Sequence, residues 1–580
     1  MLAIEMQDLL DVLKFCVPYI AVMIVALIVF LIVEIFAGKF NKKKSGKFML
    51  RSQAAVAFVL VIAVVVNLLC VGPMSNLLTL VSGSGMITDE TAAEAEELGE
   101  DITEEGIVLL ENDGTLPLDT GTPLNVFGWA SVSPTYGGSG SGALSGIYEN
   151  VSLLQGLEDA GFELNSELTE FYESYDVDNA NFHNTYGNTG GNTGAGDAER
   201  DWTLPQPPVE TYPDGIMDRA KEFSDPDDEM PVTGADNGIM LADMRGLDYD
   251  DPQWEDFLDQ LTFEEMRDLV AYGGYQTIAI DSVGKVATVD CDGPASINNN
   301  FTGLGSVGMP CVMMIACTWN KDIAYDYGEM MGRMADEMGT SGWYAPAMNT
   351  HRSAFSGRNF EYYSEDGYLA GMMAANAVQG AASHGVYSYI KHFALNDQET
   401  NRKSMLCTWS NEQAIREIYL KPFELAVKVG GATGAMTGHN FIGAQWSGVS
   451  DALLNTVLRD EWGFRGMCIT DGFRVQGYKN ADRQIRHGTD LCLIAYDVEY
   501  NLVKDESATS VIALRNATHN IMYTVVNSRA YEEENLNPGM ETWQKIMIGA
   551  DVALAIVLVA GEVLAVKGYK KRKDAEPVNG

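Results

Sequence analysis

Basic residues are scarce in this 580-residue chain. It contains 38 Lys and Arg against 81 Asp and Glu, which gives a formal charge of -43. Because binding to nucleic-acid phosphates requires a basic face, this balance argues against a nucleic-acid partner. An acidic surface favours solubility and suits a domain that faces an aqueous medium.

Motifs typical of several other enzyme classes are also absent. The eight cysteines form no CxxC pair, so we interpret them as buried hydrophobic residues rather than a disulfide framework or a metal site. No His and carboxylate pair has metal-ligand spacing, and no GxSxG or Walker loop occurs. The run GGSGSG at 137–142 lacks the third glycine of a dinucleotide fingerprint. We therefore expect no cofactor and no metal, and interpret this run as either a surface loop or a loop that leans over a site.

Three long apolar runs are present, at 15–37, 53–72 and 546–566. Each is long enough to span a bilayer as a helix, although Asp551 and Glu562 weaken the third, since intramembrane acids are costly. A cleaved signal peptide is the alternative for the first run, but that run is long, the residues before it are acidic, and a second run follows.

The charges beside these runs predict their orientation. The segment between the first two runs, GKFNKKKSGKFMLR, is basic with no acid, and the tail from Lys567 to Lys573 is also basic. Basic loops stay in the cytoplasm. The sequence therefore predicts a plasma-membrane protein, with the lipid bilayer as a partner and an extracytoplasmic domain from about 86 to 540.

The chain after residue 252 alternates between short apolar runs and amphipathic stretches. Seven strands are predicted, at 285–292, 311–317, 342–349, 386–396, 434–440, 466–472 and 490–497. Such alternation favours a parallel α/β domain. At this length a (β/α)₈ barrel is the expected fold, with a doubly wound open sheet as the alternative. The region before it has one clear strand, LNVFGWA, and an irregular part at 176–235.

Polar residues cluster at the ends of these strands. They are Asp292, Asn349, Lys391, His392, Asn440 and Asp471, with Arg358 and Glu361 in the loop after the third strand. In a barrel these strand ends meet at one mouth, where active sites are built. Asp471 alone could be a helix N-cap. That interpretation does not cover the whole set.

The set suits the chemistry of sugars. A carboxylate nucleophile must be ionised, and we expect Lys391 and Arg358 to lower the pKa of Asp471. The same cations, with His392 and Asp292, offer donors and acceptors to a polyhydroxylated ligand. Glycoside hydrolysis, in which a carboxylate attacks an oxocarbenium-like centre, fits these groups.

Five motifs resemble those of family-3 glycoside hydrolases. They are VDCDGP (289–294), SGRNFEYYSEDGYLAG (356–371), IKHFALNDQETNR (390–402), GFRGMCITDGF (463–473) and GTDLCL (488–493). The resemblance covers about 252–530 and favours the β-glucosidase-like branch. It implies a (β/α)₈ barrel in which Asp471 is the nucleophile.

The resemblance also implies which residues bind the sugar. Asp292, Arg358, Lys391 and His392 would hold it in the subsite before the cut bond. We add His439 to this set, although it stands where a Tyr is common in the family. No cofactor is implied, and the partner is a small oligosaccharide or glycoside.

The N-terminal part has a counterpart in the same family. EEGIVLLENDGTLPL (104–118) resembles the entry to the α/β sandwich domain, which usually follows the barrel and here precedes it. Together with the apolar runs, this resemblance predicts four parts. They are a membrane anchor at 1–85 with transmembrane helices at 15–37 and 53–72, a truncated α/β sandwich-like domain at 86–250, a (β/α)₈ barrel at 251–540, and a transmembrane helix with a basic cytoplasmic tail at 544–580.

The general acid/base is not assigned by the resemblance. In the β-glucosidase branch it is usually a Glu of the sandwich domain, in a Gly-Glu-Gly-like stretch that we do not find after AKEFSD (220–225). Glu229 is the nearest carboxylate by chain order. Three hypotheses follow: a retaining exo-β-glycosidase, a catalytically impaired sugar-binding ectodomain that acts as a sensor or scaffold, and an unrelated β/α enzyme with similar motifs.

Overall fold

The structure is a computed structural model with two compact units. It describes residues 6–82, 85–134, 136–138, 140–145, 147–174, 224–399, 402–403, 406–473, 478–496, 498, 500–533, 535 and 540–576. One unit comes from residues 84–536 and the other from residues 4–83 and 537–580. We call them the α/β unit and the helical unit.

The helices and strands are numbered in chain order. The helices are α1 (Met6–Phe40), α2 (Lys44–Val71), α3 (Ser75–Ser82), α4 (Asp89–Gly106), α5 (Leu153–Asp159), α6 (Ser166–Glu173), α7 (Gln253–Leu258), α8 (Phe263–Ala271), α9 (Val312–Cys317), α10 (Lys321–Glu337), α11 (Gly367–Ala382), α12 (Glu412–Ala414), α13 (Lys421–Lys428), α14 (Ala481–Arg486), α15 (Ala508–Val526) and α16 (Thr542–Asp574). The strands are β1 (Pro123–Leu124), β2 (Glu163–Leu164), β3 (Gln276–Thr277), β4 (Thr288–Cys291), β5 (Gly342–Trp343), β6 (Tyr387–Phe393), β7 (Cys407–Thr408), β8 (Gly434–Thr437), β9 (Phe441–Ile442), β10 (Gln445–Trp446) and β11 (Met467–Ile469). Two further segments, Ile415–Tyr419 and Ala452–Glu461, are π-helical.

The helical unit consists of α1 to α3 and α16. Three of its segments are long and apolar enough to cross a membrane: Cys16–Phe40, Lys44–Val71 and Thr542–Asp574. Two acids of α16, Asp551 and Glu562, each accept a hydrogen bond from a side-chain amide of α2. Asn67 Nδ2 lies 3.1 Å from Asp551 Oδ1, and Gln53 Nε2 lies 2.7 Å from Glu562 Oε1. These bonds offset part of the cost of placing carboxyl groups in an apolar helix.

A six-stranded sheet organises the α/β unit, in the order β11-β8-β6-β5-β4-β3. The strands from β4 to β11 in this sheet are parallel, and β3 is antiparallel to β4. All seven residues of β6 are buried, as expected for an apolar strand covered on both faces. The parallel strands direct their carboxyl ends to one edge, where the loops carry the polar residues singled out in the sequence.

The segment 490–494 lies beside β11 but is not a continuous strand. Leu491 forms a parallel bridge to Ile469. Farther on, Cys492 N–H donates to Val270 O at 2.9 Å, and Gly274 N–H donates to Ile494 O at 2.9 Å. The segment therefore links β11 to the residues that lead into β3. The expected strand at 490–497 is reduced to a single bridge because its later backbone groups bond to this connection instead.

One predicted strand is a helix. The apolar run 311–317 forms α9, in which Val312, Ile315 and Ala316 are buried while Met313 is exposed. Burial at positions i, i+3 and i+4 is the helical pattern, but Met313 and Cys317 are apolar as well and hid that pattern in the sequence. The predicted strand at 311–317 was wrong for this reason.

Helices α10 and α11 pack closely because small residues face each other. A Cβ on Gly328 would collide with the backbone of Ala377, and one on Gly332 would come within 2.9 Å of Ala381 Cα. Around this contact lie buried apolar side chains such as Met331. The close packing places α11 and the loop before it against the sheet.

The segment from residue 107 to residue 174 has little regular structure among its described residues. Strands β1 and β2 form a two-residue parallel pair, flanked by α5 and α6. The expected strand LNVFGWA continues only through Leu124, and Phe127 in it is 72% exposed. The irregular part predicted at 176–235 lies largely outside the described residues, which resume at 224.

Candidate active site

The strand ends bring together six of the residues predicted from the sequence. Asp292 follows β4, Lys391 and His392 lie in β6, His439 follows β8, and Asp471 follows β11, while Arg358 comes from the loop after β5. Lys391 Nζ lies 3.9 Å from Asp292 Oδ1, and Arg358 Nη1 lies 3.1 Å from His392 Nε2. His392 Nε2 and His439 Nε2 lie 3.7 Å and 3.3 Å from Asp471 Oδ2.

Asp471 is held by several donors at once. Arg402 Nη1 donates to its Oδ2 at 2.7 Å, and the backbone N–H of Gly472 donates to its Oδ1 at 2.7 Å. Its side chain is 14% exposed. Burial raises the pKa of Asp471, but His439, Arg402 and His392 lower it by more, so that the pKa lies well below its usual value. Asp471 is therefore a carboxylate at neutral pH.

The two histidines beside Asp471 have pKa values below the usual range of histidine. Burial lowers the pKa of His439 well below its usual value, and burial with the nearby Arg358 does the same for His392. A guanidinium only donates, so Nε2 of His392 accepts from Arg358. His439 Nε2 faces a carboxylate oxygen and so donates to Asp471.

Two arginine and glutamate pairs form a second layer of charge. Arg358 Nε donates to Glu361 Oε2 at 2.9 Å, and Arg402 Nε lies 2.6 Å from Glu399 Oε2. Arg358 Nη1 also lies 3.7 Å from Glu399 Oε1. All four side chains are buried. Among the described residues, the guanidinium that contacts the carboxylate of Asp471 is thus that of Arg402, whereas the sequence pointed to Lys391 and Arg358.

Lys479 fixes the backbone at the end of β11. Its Nζ donates to the carbonyl oxygens of Asp471 and Gly472, both at 2.7 Å. Lys479 was missed in the sequence because it lies eight residues after Asp471, well past the end of the strand. Arg402 was also missed, although it ends the motif IKHFALNDQETNR, because a loop residue ten positions after His392 gives no strand-end signal.

The glycine-rich loop at 137–142 contacts the site. Ser141 Oγ accepts a hydrogen bond from Arg358 Nη2 at 3.2 Å. A Cβ on Gly142 would collide with Oε1 of Glu361, so only glycine allows this approach. Asn298 Nδ2 donates to Ala143 O at 2.6 Å. Of the two interpretations of the glycine run, the structure favours the loop that leans over a site.

Glu229, the candidate acid/base by chain order, is an exposed residue. Its neighbour Asp228 accepts a hydrogen bond from the hydroxyl of Thr509. Among the residues that the structure describes, no hydrogen bond or ion pair joins Glu229 to the strand-end cluster. The residues that the structure describes contain no group of three His, Cys, Asp or Glu side chains that could hold a metal ion.

Comparison with known proteins agrees with this geometry. Residues 290–517 match the glycosyl hydrolase family 3 N terminal domain. Relatives include β-glucosidase A of Butyrivibrio fibrisolvens, 39% identical over 41% of this chain and 29% of that protein, and a β-glucosidase of Rhizobium radiobacter, 35% identical over 41% and 29%. This chain thus matches less than a third of the length of these relatives.

Solved structures give the same kind of match. The β-glucosidase 3B of Thermotoga neapolitana, in complex with glucose, is 32% identical over 50% of this chain and 45% of that chain, with a TM-score of 0.44. All six strand-end residues fall inside the range 290–517. Over residues 290–517, the α/β unit therefore resembles in sequence the β-glucosidases of glycosyl hydrolase family 3.

Proposed function

We propose that the α/β unit is a retaining glycosidase that removes β-linked glucose or a related sugar from the non-reducing end of a glycoside. The observation that carries this proposal is the buried, ionised Asp471 at the centre of the strand-end cluster. Its Oδ2 accepts from Arg402 and His439, and its Oδ1 accepts from Gly472 N–H. A carboxylate held in this way is prepared to attack an anomeric carbon.

The reaction proceeds in two displacements at the anomeric carbon. Asp471 attacks this carbon, the bond to the aglycone oxygen breaks, and a glycosyl ester forms on Asp471. Water then attacks the same carbon, releases the sugar and restores the carboxylate. Asp292, Arg358, Lys391, His392 and His439 bind the sugar hydroxyls during both steps.

The aglycone oxygen also needs a proton. Glu361 and Glu399 are carboxylates near the cluster, but both are bound to arginines. We therefore leave the acid/base unassigned, with Glu229 as the candidate from chain order. General-acid catalysis contributes a factor of about 10² to 10⁴ in rate and matters most for poor leaving groups. The dependence of the hydrolysis rate on the leaving group therefore reports whether a proton donor is present.

The proposal extends to the architecture and the location. The segment 490–494 forms backbone hydrogen bonds to both β11 and the connection before β3. These bonds support a closed (β/α)₈ barrel at 251–540. The β1–β2 pair with α5 and α6 fits a truncated α/β sandwich at 86–250, placed before the barrel. The three apolar helices, with the basic residues beside them, support anchoring in the plasma membrane with the α/β unit outside the cytoplasm.

The test is covalent trapping on Asp471. The full chain, purified in detergent, is incubated with 2,4-dinitrophenyl 2-deoxy-2-fluoro-β-glucoside, and its mass is measured. We expect the wild type to gain one fluoroglucosyl group on the peptide that contains Asp471, and Asp471→Asn to gain none and to lose turnover. Asp460→Asn, a change at an exposed acid of the same unit, should behave as the wild type.

Two outcomes would contradict the proposal. Labelling at another residue would show that Asp471 is not the nucleophile. Glucose binding without labelling and without turnover of 4-nitrophenyl β-glucoside would favour the sugar-binding ectodomain instead.

A further inference from the structure

Tyr275 has a backbone conformation that a tyrosine rarely adopts. Its φ is 60°, in the left-handed region, where a residue with a side chain pays of order 1 kcal/mol. It follows Gly273 and Gly274, and a Cβ on Gly274 would collide with the backbone of Ile494. Such a conformation persists only where the surroundings hold it.

Several neighbours hold both the backbone and the ring of Tyr275. Its N–H donates to the hydroxyl of Tyr344 at 3.0 Å, and its carbonyl accepts from Asp290 N–H at 2.9 Å. Its ring packs against Phe301 and Tyr344, with centroids 5.3 Å and 5.5 Å away. The backbone and the ring are therefore both fixed, and so is the direction of the hydroxyl.

That hydroxyl points at Asp292. Tyr275 OH donates to Oδ2 of Asp292 at 3.0 Å, and Asn300 Nδ2 donates to the same oxygen at 2.7 Å. The other oxygen, Oδ1, faces Lys391 Nζ at 3.9 Å. The two carboxylate oxygens thus have different surroundings, one with two short hydrogen bonds from the protein and one beside a more distant cation.

We infer that Tyr275 is a positioning residue which, with Asn300, holds Oδ2 of Asp292 so that Oδ1 is presented to a ligand hydroxyl. This inference rests on the proposed function, in which Asp292 binds the sugar. Tyr275 acts through Asp292 and does not itself need to touch the ligand. The hydrogen bonds and ring contacts of Tyr275, including its bond to Asp292, offset the conformational cost of its positive φ.

The charges around Asp292 predict how the loss of Tyr275 would appear. Burial raises the pKa of Asp292, and Asp471 adds to that effect, while Lys391, Tyr275 and Asn300 oppose it. Removing a donor to the carboxylate raises the pKa of Asp292 further. Protonated Asp292 is a poorer acceptor, so sugar binding should then be lost at a higher pH during acidification.

The test measures glucose binding as a function of pH. Glucose is titrated by calorimetry into the full chain in detergent, for the wild type, Tyr275→Phe and Asn300→Leu. The matched control is Tyr363→Phe, since the Tyr363 hydroxyl is buried and has no hydrogen-bond partner among the described residues. We expect the Kd of Tyr275→Phe to rise about tenfold at neutral pH, from the loss of a hydrogen bond to a charged group.

The shift of the pH profile separates positioning from general loosening of the fold. Both Tyr275→Phe and Asn300→Leu should lose binding at a higher pH than the wild type, while Tyr363→Phe follows the wild type. If the wild type binds glucose and the Tyr275→Phe profile coincides with it, the inference is wrong and the proposed function stands. If the wild type binds no glucose at any pH, the sugar site itself is refuted and the inference falls with it.

Discussion

The contact between Arg402 and Asp471 allows the sharpest prediction about the site. Arg402 Nη1 lies 2.7 Å from Asp471 Oδ2, and both side chains are largely buried. Replacing Arg402 by Gln removes a permanent cation. Hydrogen bonds between charged groups contribute about 1.5–3 kcal/mol, so we expect kcat/KM to fall by about 10- to 150-fold.

The pH dependence should change in a defined direction. In the wild type the pKa of Asp471 is held well below its usual value, with Arg402 among the causes. Removing Arg402 should raise the pKa of Asp471, the proposed nucleophile. Because only the carboxylate attacks, the acidic limb of kcat/KM should move to higher pH, and this limb reports groups of the free enzyme.

The assay follows 4-nitrophenyl β-glucoside hydrolysis by the full chain in detergent across a pH series. Arg402→Lys keeps a positive charge and should recover part of the loss. Arg416→Gln is the matched control, since it breaks ion pairs to Glu412 and Glu461 at the surface, where such pairs contribute little. If the Arg402→Gln and wild-type profiles coincide in position and height, Arg402 does not set the charge state of Asp471 and the reasoning is refuted.

Three further predictions follow from other contacts. Gly142→Ala should displace the glycine-rich loop from Glu361 and raise KM. The control is Gly156→Ala in helix α5, where a Cβ would meet open space and KM should stay unchanged. Equal KM values for the two variants would contradict the role of the loop. Asn67→Leu should destabilise the helical unit by about 0.6–2 kcal/mol, measured by detergent unfolding, because Asp551 loses its amide donor; an unchanged midpoint would argue against the bond. If no general acid serves the site, 2,4-dinitrophenyl glucosides should be cleaved while alkyl glucosides are nearly inert, and equal relative rates would show that a donor is present.

The convergence of the side chains at the strand ends could be predicted from the sequence. Asp292, Lys391, His392, His439 and Asp471 come together as expected, because parallel strands direct their carboxyl ends to the same edge. The pattern of short apolar runs that end in a polar residue is local, so it is visible in the sequence without knowledge of the tertiary fold.

The residues that the sequence did not predict depend on contacts between distant segments. Arg402 and Lys479 lie in loops, and nothing in their neighbours indicates that both converge on Asp471. Ser141 comes from a segment more than two hundred residues away from Arg358. The α9 helix was mistaken for a strand because a short run of apolar residues has no periodicity from which to choose.

The two hydrogen bonds of Lys479 affect the activation barrier of the proposed reaction. With both neighbouring carbonyls bound to one amine, the peptide unit between Asp471 and Gly472 cannot flip without losing a hydrogen bond, while Gly472 N–H binds Oδ1 on the other side. The direction of the carboxylate is therefore set by the main chain as well as by its rotamer. If Asp471 is the nucleophile, as proposed, a carboxylate oriented in this way needs little reorganisation when charge moves from its oxygen to the sugar, and the rearrangement of the protein then adds little to the activation barrier.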